Sequence, residues 1–290
     1  MRVRVLALIT AVAISLFGAV PAFADGGGDH GYLALGDSVP FGFSPLLDPR
    51  HAQNFVGYPE IVAERLGIHD TNATCPGEAT GGFLSLTGTD NVCRPYRSAY
   101  PLHVHYTGTQ MDFALKYLRE HPDTGLVTLT LGANDFFRFT KDCKAGPTVG
   151  TCPLGIPGVL AAMFSNLNTI LSGIRQTGYR GPIVAVTYYA LDYNDTSGTM
   201  LLNGPMIAAA TANHALVASG LEAWRATAVA SGGSSCTAGL LIPTPNDPLS
   251  ACDVHPTPLG RDLLAGAVLQ AIAASCPAHS AKGCLDFGDD

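Results

Sequence analysis

A chain of 290 residues with a net charge of −7 and no basic run speaks against nucleic acid as a partner. Its acidity bears on solubility rather than function, and its length suits one large core, so a single domain is expected. Eight cysteines, an even number, suit an oxidising compartment and argue for disulfides over metal or redox chemistry.

The first residues specify export. Arg2 and Arg4 precede an uncharged apolar run over 5–20, and Ala22-Phe23-Ala24 supplies the small-x-small pattern read by signal peptidase. A transmembrane anchor is the competing reading, but the run is short of the roughly 20 residues a span needs and leads straight into a cleavage signal. Residues 1–24 are expected to be a signal peptide and 25–290 a secreted domain. No later segment reads as a membrane helix, and no stable insertion is expected.

In the mature chain, residues 32–35 are a short apolar run ending at Gly36, the pattern of a buried strand. A helix over 59–66 is stopped by Gly67. Residues 75–108 are rich in Gly, Pro and Thr and hold a cysteine pair, which reads as a long stapled loop. A helix over 110–119 places Met111, Leu115 and Leu118 on one face and ends before Pro122. Residues 126–131 form a second strand ending at Gly132. A second stapled loop over 142–158, a helix over 160–174, and a third strand over 183–189, started by Gly181-Pro182, follow. An Ala-rich helical segment over 205–229 and a helix over 259–274 complete the pattern. The acidic tail, 286–290, is expected to be disordered.

Strands alternating with helices predict an α/β fold with a central parallel sheet wrapped by helices. In such sheets the ligand lies beyond the carboxyl ends of the strands. That rule selects the residues after 35 and after 131. The first set is Gly36-Asp37-Ser38, a serine placed to be exposed and close to backbone N–H donors, as a nucleophile requires. The second is Gly132-Ala133-Asn134-Asp135, where a side-chain amide can donate to an oxyanion. Asp253-Val254-His255-Pro256, before the last helix, supplies a candidate base. Each alone reads more readily as turn or cap chemistry. Their joint occurrence in this order carries the weight.

The combination resembles the GDSL-type, or SGNH, hydrolase family across residues 32 to about 266. Residues 35–38 (Leu-Gly-Asp-Ser) match its first block, Gly77 its second, 132–135 its third and His255 its fourth. The resemblance is closest to the secreted actinobacterial lipase-like branch. It implies a flavodoxin-like three-layer α/β/α sandwich. It also implies Ser38 as nucleophile, His255 as general base, and an oxyanion hole from the backbone N–H groups of Ser38 and Gly77 and the side-chain amide of Asn134. No cofactor or metal is implied. Where the family often carries Asp-x-x-His, this chain has Cys252 three residues before the histidine and Asp253 two before. Either Asp253 orients His255, or a backbone carbonyl near Cys252 does; Asp253 is preferred because a charged acceptor makes the stronger hydrogen bond.

Neighbouring cysteines are expected to pair as local staples: Cys75–Cys93, Cys143–Cys152, Cys236–Cys252 and Cys276–Cys284, although eight cysteines allow 105 connectivities. His103 and His105, with no His-Glu-x-x-His and no nearby carboxylate, read as loop residues rather than metal ligands. Gly-x-Ser-x-Gly is absent, so the α/β-hydrolase elbow is not indicated. Tyr188 and Tyr189 either line the pocket or pack in the core. Three functions compete: a lipase or carboxylesterase acting on small-molecule or lipid esters as a monomer; a deacetylase acting on cell-wall or plant polysaccharide; and a non-catalytic secreted binding module. Retention of Ser38, Asn134 and His255 speaks against the third. A single tryptophan, Trp224, and apolar loops between Phe136 and Phe164 favour the first.

Overall fold

The computed structural model describes residues 31–146, 151–244, 251–276 and 285. The expected signal peptide, the acidic tail and Cys284 of the Cys276–Cys284 pair lie outside them. Five parallel strands form the central sheet: β1 (Gly31–Gly36), β2 (His69–Asn72), β3 (Leu126–Thr130), β4 (Ile183–Val186) and β5 (Leu216–Ala218). Their order is β2-β1-β3-β4-β5. The helices are α1 (Ser38–Phe41), α2 (Tyr58–Leu66), α3 (Thr80–Leu84), α4 (Cys93–Ala99), α5 (Gln110–Glu120), α6 (Ala133–Ala145), α7 (Cys152–Gln176), α8 (Ser197–Ala212), α9 (Gly220–Ala230) and α10 (Pro258–Ala274). A short antiparallel pair, β6 (Leu241–Pro243) and β7 (Cys252–Pro256), precedes α10.

The two-residue alternation of a strand divides the core into two layers. Tyr32 and Ala34 of β1 face a cluster built with Val62, Trp224, Leu264 and Val268, from α2, α9 and α10. Leu33 and Leu35 face the other way, onto Met111, Leu118, Leu167, Ile170 and Met206, from α5, α7 and α8. The result is the expected three-layer α/β/α sandwich. Two strand threonines point inward and are satisfied by core tyrosines: Tyr32 pairs with Thr128 at 2.7 Å and Tyr58 with Thr130 at 2.8 Å.

Several expectations are corrected. The strand over 183–189 ends at Val186, because Tyr188 turns its backbone to the side chain of Asn203 instead of a neighbouring strand: Tyr188 N donates to Asn203 Oδ1 at 2.9 Å, and Asn203 Nδ2 donates to Tyr188 O at 2.8 Å. The Ala-rich segment over 205–229 is not one helix. It contains the end of α8, the three-residue strand β5 and most of α9. The break falls at Asn213-His214, where His214 adopts a positive φ of 51°. The stapled loops are partly helical: α3 and α4 lie within 75–108, while α6 and α7 run into 142–158 from either side. By length and composition, α7 could cross a bilayer, which the shorter pattern over 160–174 concealed. Its Met163, Leu167, Ile170, Leu171 and Ile174 are buried in the core. Disulfides join Cys75 to Cys93, Cys143 to Cys152 and Cys236 to Cys252.

Candidate active site

The order β2-β1-β3-β4-β5 places a topological switch point between β1 and β3, the position where ligands bind in open parallel sheets. Gly36 pairs with Thr130 there, so the residues after each strand meet at one edge. Gly36 has φ 129°, and a Cβ on it would strike the Thr130 carbonyl, so only glycine lets the two strand ends approach. Gln110 fixes this end from the side: its Oε1 accepts from Gly36 N at 2.6 Å and its Nε2 donates to Gly36 O at 3.0 Å. Asp37 caps α1 by accepting from Val39 N at 3.0 Å, which sets Ser38 as the first helical residue, whose N–H has no intrahelical acceptor.

The Ser38 hydroxyl lies 2.8 Å from His255 Nε2. His255 Nδ1 contacts Asp253 Oδ1, and the same oxygen accepts from the His255 backbone N at 3.0 Å. This Asx-type turn supplies the bend that lets a carboxylate two residues away reach the ring, which a flat strand would not allow. Burial opposes ionisation of Asp253, but the hydrogen bonds from the His255 ring and backbone outweigh it and hold the carboxyl below its usual range. The Cys236–Cys252 disulfide anchors the segment at one end. Tyr189 holds it from beneath, donating to Val254 O at 2.6 Å while stacking on Trp224 at 3.7 Å between centroids. The hydroxyl, imidazole and carboxylate thus form one unbroken chain, which can draw a proton from Ser38 and stabilise the resulting imidazolium.

Asn134 and Gly77 meet through a residue that the motifs did not mark. Asn91 Nδ2 donates to Asn134 Oδ1 at 2.9 Å, and Asn91 N donates to Gly77 O at 3.2 Å. Gly77 has φ 81°, and a Cβ there would collide with Val92. Among the described residues, neither the Gly77 N–H nor the Asn134 side-chain NH2 has a protein acceptor. Asp135 anchors the same turn by accepting from Thr80 N at 2.9 Å and Thr80 Oγ1 at 2.6 Å.

Of the two tyrosines, both are core residues, and Tyr188 also has a polar task. Its hydroxyl donates to the carboxylate of Asp37 and accepts from Ala133 N at 3.1 Å, which ties the serine turn to the asparagine turn. Burial raises the Asp37 carboxyl to about 6, against the lowering effect of the Tyr188 and Val39 hydrogen bonds. Tyr188→Phe should leave both Asp37 and the Ala133 N–H short of a partner inside the protein. A loss of about 1–3 kcal/mol in unfolding free energy is expected, read by urea denaturation. A change within about 0.5 kcal/mol, the range for an uninvolved surface site, would rule out this bridge.

His103 is half-buried and packs at a tilt against Phe41 with ring centroids 4.5 Å apart; its Nε2 lies 3.1 Å from Phe41 O and 4.0 Å from Glu60 Oε1, a carboxylate that the sequence did not place beside it, and burial lowers its pKa. His105 is exposed. Among the described residues the three-member group of possible metal-binding side chains is Glu78, Asp90 and Cys93, and the Cys93 sulfur is already bonded to Cys75. The segments between Phe136 and Phe164 are helical rather than looped where described, with Phe137, Leu154 and Phe164 exposed. An aromatic cluster not marked in the sequence stands at the site. Phe43 packs edge-on against the His255 ring at 4.9 Å, then stacks on Phe55 at 5.9 Å and meets Tyr96 at 6.2 Å.

No family model and no curated protein matches the chain. Solved structures share its fold. A phospholipase A1 from Streptomyces albidoflavus is 18% identical with a TM-score of 0.52, covering 86% of this chain and 100% of that one. A catalytic mutant of an acetylxylan esterase from Geobacillus stearothermophilus is 14% identical with a TM-score of 0.53, covering 85% and 95%. A protein from Parabacteroides merdae bearing the GDSL-like lipase name is 14% identical with a TM-score of 0.50, covering 84% and 96%. The chain therefore has the α/β fold found in these hydrolases.

Proposed function

We propose that this chain is an exported serine ester hydrolase acting on carboxylic esters with an apolar acyl group. The observation that carries the reading is the continuous Ser38–His255–Asp253 chain at the β1/β3 switch point. Ser38 Oγ attacks the ester carbonyl while its proton passes to His255 Nε2. The Nδ1–H of the imidazolium is held by Asp253. The tetrahedral oxyanion accepts from the backbone N–H groups of Ser38 and Gly77 and from Asn134 Nδ2. His255 then protonates the departing alcohol, and a water attacks the acyl-enzyme by the reverse sequence. One such oxyanion donor is worth roughly 3–4 kcal/mol in comparable sites. The three disulfides within the described residues support an oxidising destination.

Phe43 and Tyr96 beside His255, backed by the buried Phe55, support an acyl-chain preference over a sugar acetyl ester. Trp224 cannot serve as a sugar-stacking platform, because it is fully buried with its indole N–H donating to Gly260 O at 3.0 Å. A series of p-nitrophenyl esters from acetate to palmitate, run beside acetylated xylan and a phospholipid, tests this. The expected result is kcat/KM rising from acetate to a longer acyl chain, with each buried methylene contributing about 0.8 kcal/mol at most. Highest activity on acetylated xylan would overturn the acyl preference, and no turnover of any ester would overturn the function.

A further inference from the structure

We infer that Asn91 is a positioning residue that orients one oxyanion donor, the amide of Asn134, and braces the backbone beside a second, Gly77. This rests on the ester hydrolase reading above. A primary amide presents an acceptor on one side and a donor on the other, and a half-turn about its terminal bond exchanges them. Asn134 is useful to an oxyanion only with Nδ2 directed to the substrate. Asn91 enforces that orientation by donating its own Nδ2 to Asn134 Oδ1 at 2.9 Å. It serves the second donor through its backbone, since Asn91 N and Val92 N both donate to Gly77 O at 3.2 Å. These bonds hold the Gly77–Glu78 peptide plane, which adjoins the one that carries the Gly77 N–H.

The turn that carries Asn91 is held from three directions. Asp90 accepts from Cys93 N at 2.9 Å and Arg94 N at 3.1 Å, closing the turn into α4. Arg138 of α6 donates to Asp90 O at 3.0 Å, linking the turn to the helix that begins beside Asn134. The Cys75–Cys93 disulfide, with Cα atoms 5.6 Å apart, ties the turn to the strand exit that leads to Gly77. The segment over 75–93 therefore acts as a brace for the oxyanion donors.

The test exploits the difference between a missing donor and a reversed one. Asn91→Asp places an ionised acceptor where Asn134 now meets a donor, so the Asn134 amide turns over and presents its oxygen to the oxyanion. The expected loss in kcat approaches the roughly 10²–10³-fold of a deleted oxyanion donor, with KM little changed. Asn91→Ala leaves the amide free to rotate and should cost less than Asn91→Asp. Asn91→Ser retains a donor and should retain more activity than Asn91→Ala. In an Asn134→Ala background, Asn91→Asp should change kcat by no more than about twofold, since the amide it acts through is gone. Thermal unfolding of each variant checks the fold; if Asn91→Asp does not fold, the Ser and Ala variants decide by their order. Equal losses in kcat from Asn91→Asp with and without Asn134, or a loss confined to KM, would overturn the inference. Ser38→Ala separates the two levels. If that variant still turns over ester, the hydrolase reading fails; if it is dead while Asn91→Asp is as active as the wild type, only the role of Asn91 fails.

Discussion

Ser38→Ala is expected to reduce ester hydrolysis by about 10⁶-fold in kcat, the scale seen when a serine nucleophile is removed from a comparable unit. The substitution removes the atom that forms the acyl-enzyme, and no neighbouring group can replace it: the nearest polar side chain, His255, is engaged with Asp253 through its other nitrogen. The fold should be unaffected. The Ser38 hydroxyl makes no hydrogen bond with the rest of the described protein except to His255, and α1 is capped by Asp37 through Val39 N rather than by Ser38. Unfolding free energy should stay within about 0.5 kcal/mol of the wild type. A serine-reactive phosphonate should add one mass increment, located on the peptide containing Ser38, and none to the variant. Wild-type turnover by Ser38→Ala, or labelling elsewhere, would remove this serine from the reaction.

The sheet was legible where burial on both faces left an apolar run, as in Leu33-Ala34-Leu35, or a run of apolar and β-branched residues, as in Val127 to Leu131. Where burial is one-sided or the strand is short, that signal disappears. β2 is His-Asp-Thr-Asn, at the edge of the sheet among the described residues, and it has no apolar residue to announce it. β5 is three residues long and lies between two Ala-rich helices, so a helical composition masked it. The candidate site divides in the same way. Residues whose role depends on following a strand end, Ser38 and Asn134, can be placed from local pattern. Asn91, Tyr188 and Gln110 act through partners 43, 151 and 74 positions away, and no local pattern encodes such a contact. The aromatic cluster is hidden for the same reason, since Phe43, packed on Phe55, meets His255 only after folding.

Asp253→Asn is expected to cost several thousandfold in kcat. A neutral imidazole serves as base only if its protonated nitrogen points away from the serine, and a carboxylate acceptor at Nδ1 enforces that tautomer. Asparagine can still accept at Oδ1 from the His255 backbone N, so the Asx-type turn and the β7 geometry should persist. It no longer carries the charge that stabilises the imidazolium, and its NH2 can hold the ring in the unproductive tautomer; the corresponding exchange in a well-studied triad costs about 10⁴-fold. Asp253 is held below the usual carboxylate range by the His255 hydrogen bonds, against the cost of burial. Its charge is therefore present at neutral pH and is lost only as pH falls through that lowered value. The wild-type rate should not depend on Asp253 titration near neutrality. A carbonyl near Cys252 is the alternative orienting group. The neighbouring Val254 carbonyl is already taken by the Tyr189 hydroxyl at 2.6 Å, and a dipole stabilises an imidazolium less than a full charge does. The measurement is the kcat profile of Asp253→Asn from pH 5 to 9, with circular dichroism to check the fold. A loss below about tenfold at the optimum would leave a Ser38–His255 dyad, since an acceptor worth about 10⁴-fold elsewhere cannot be so dispensable here.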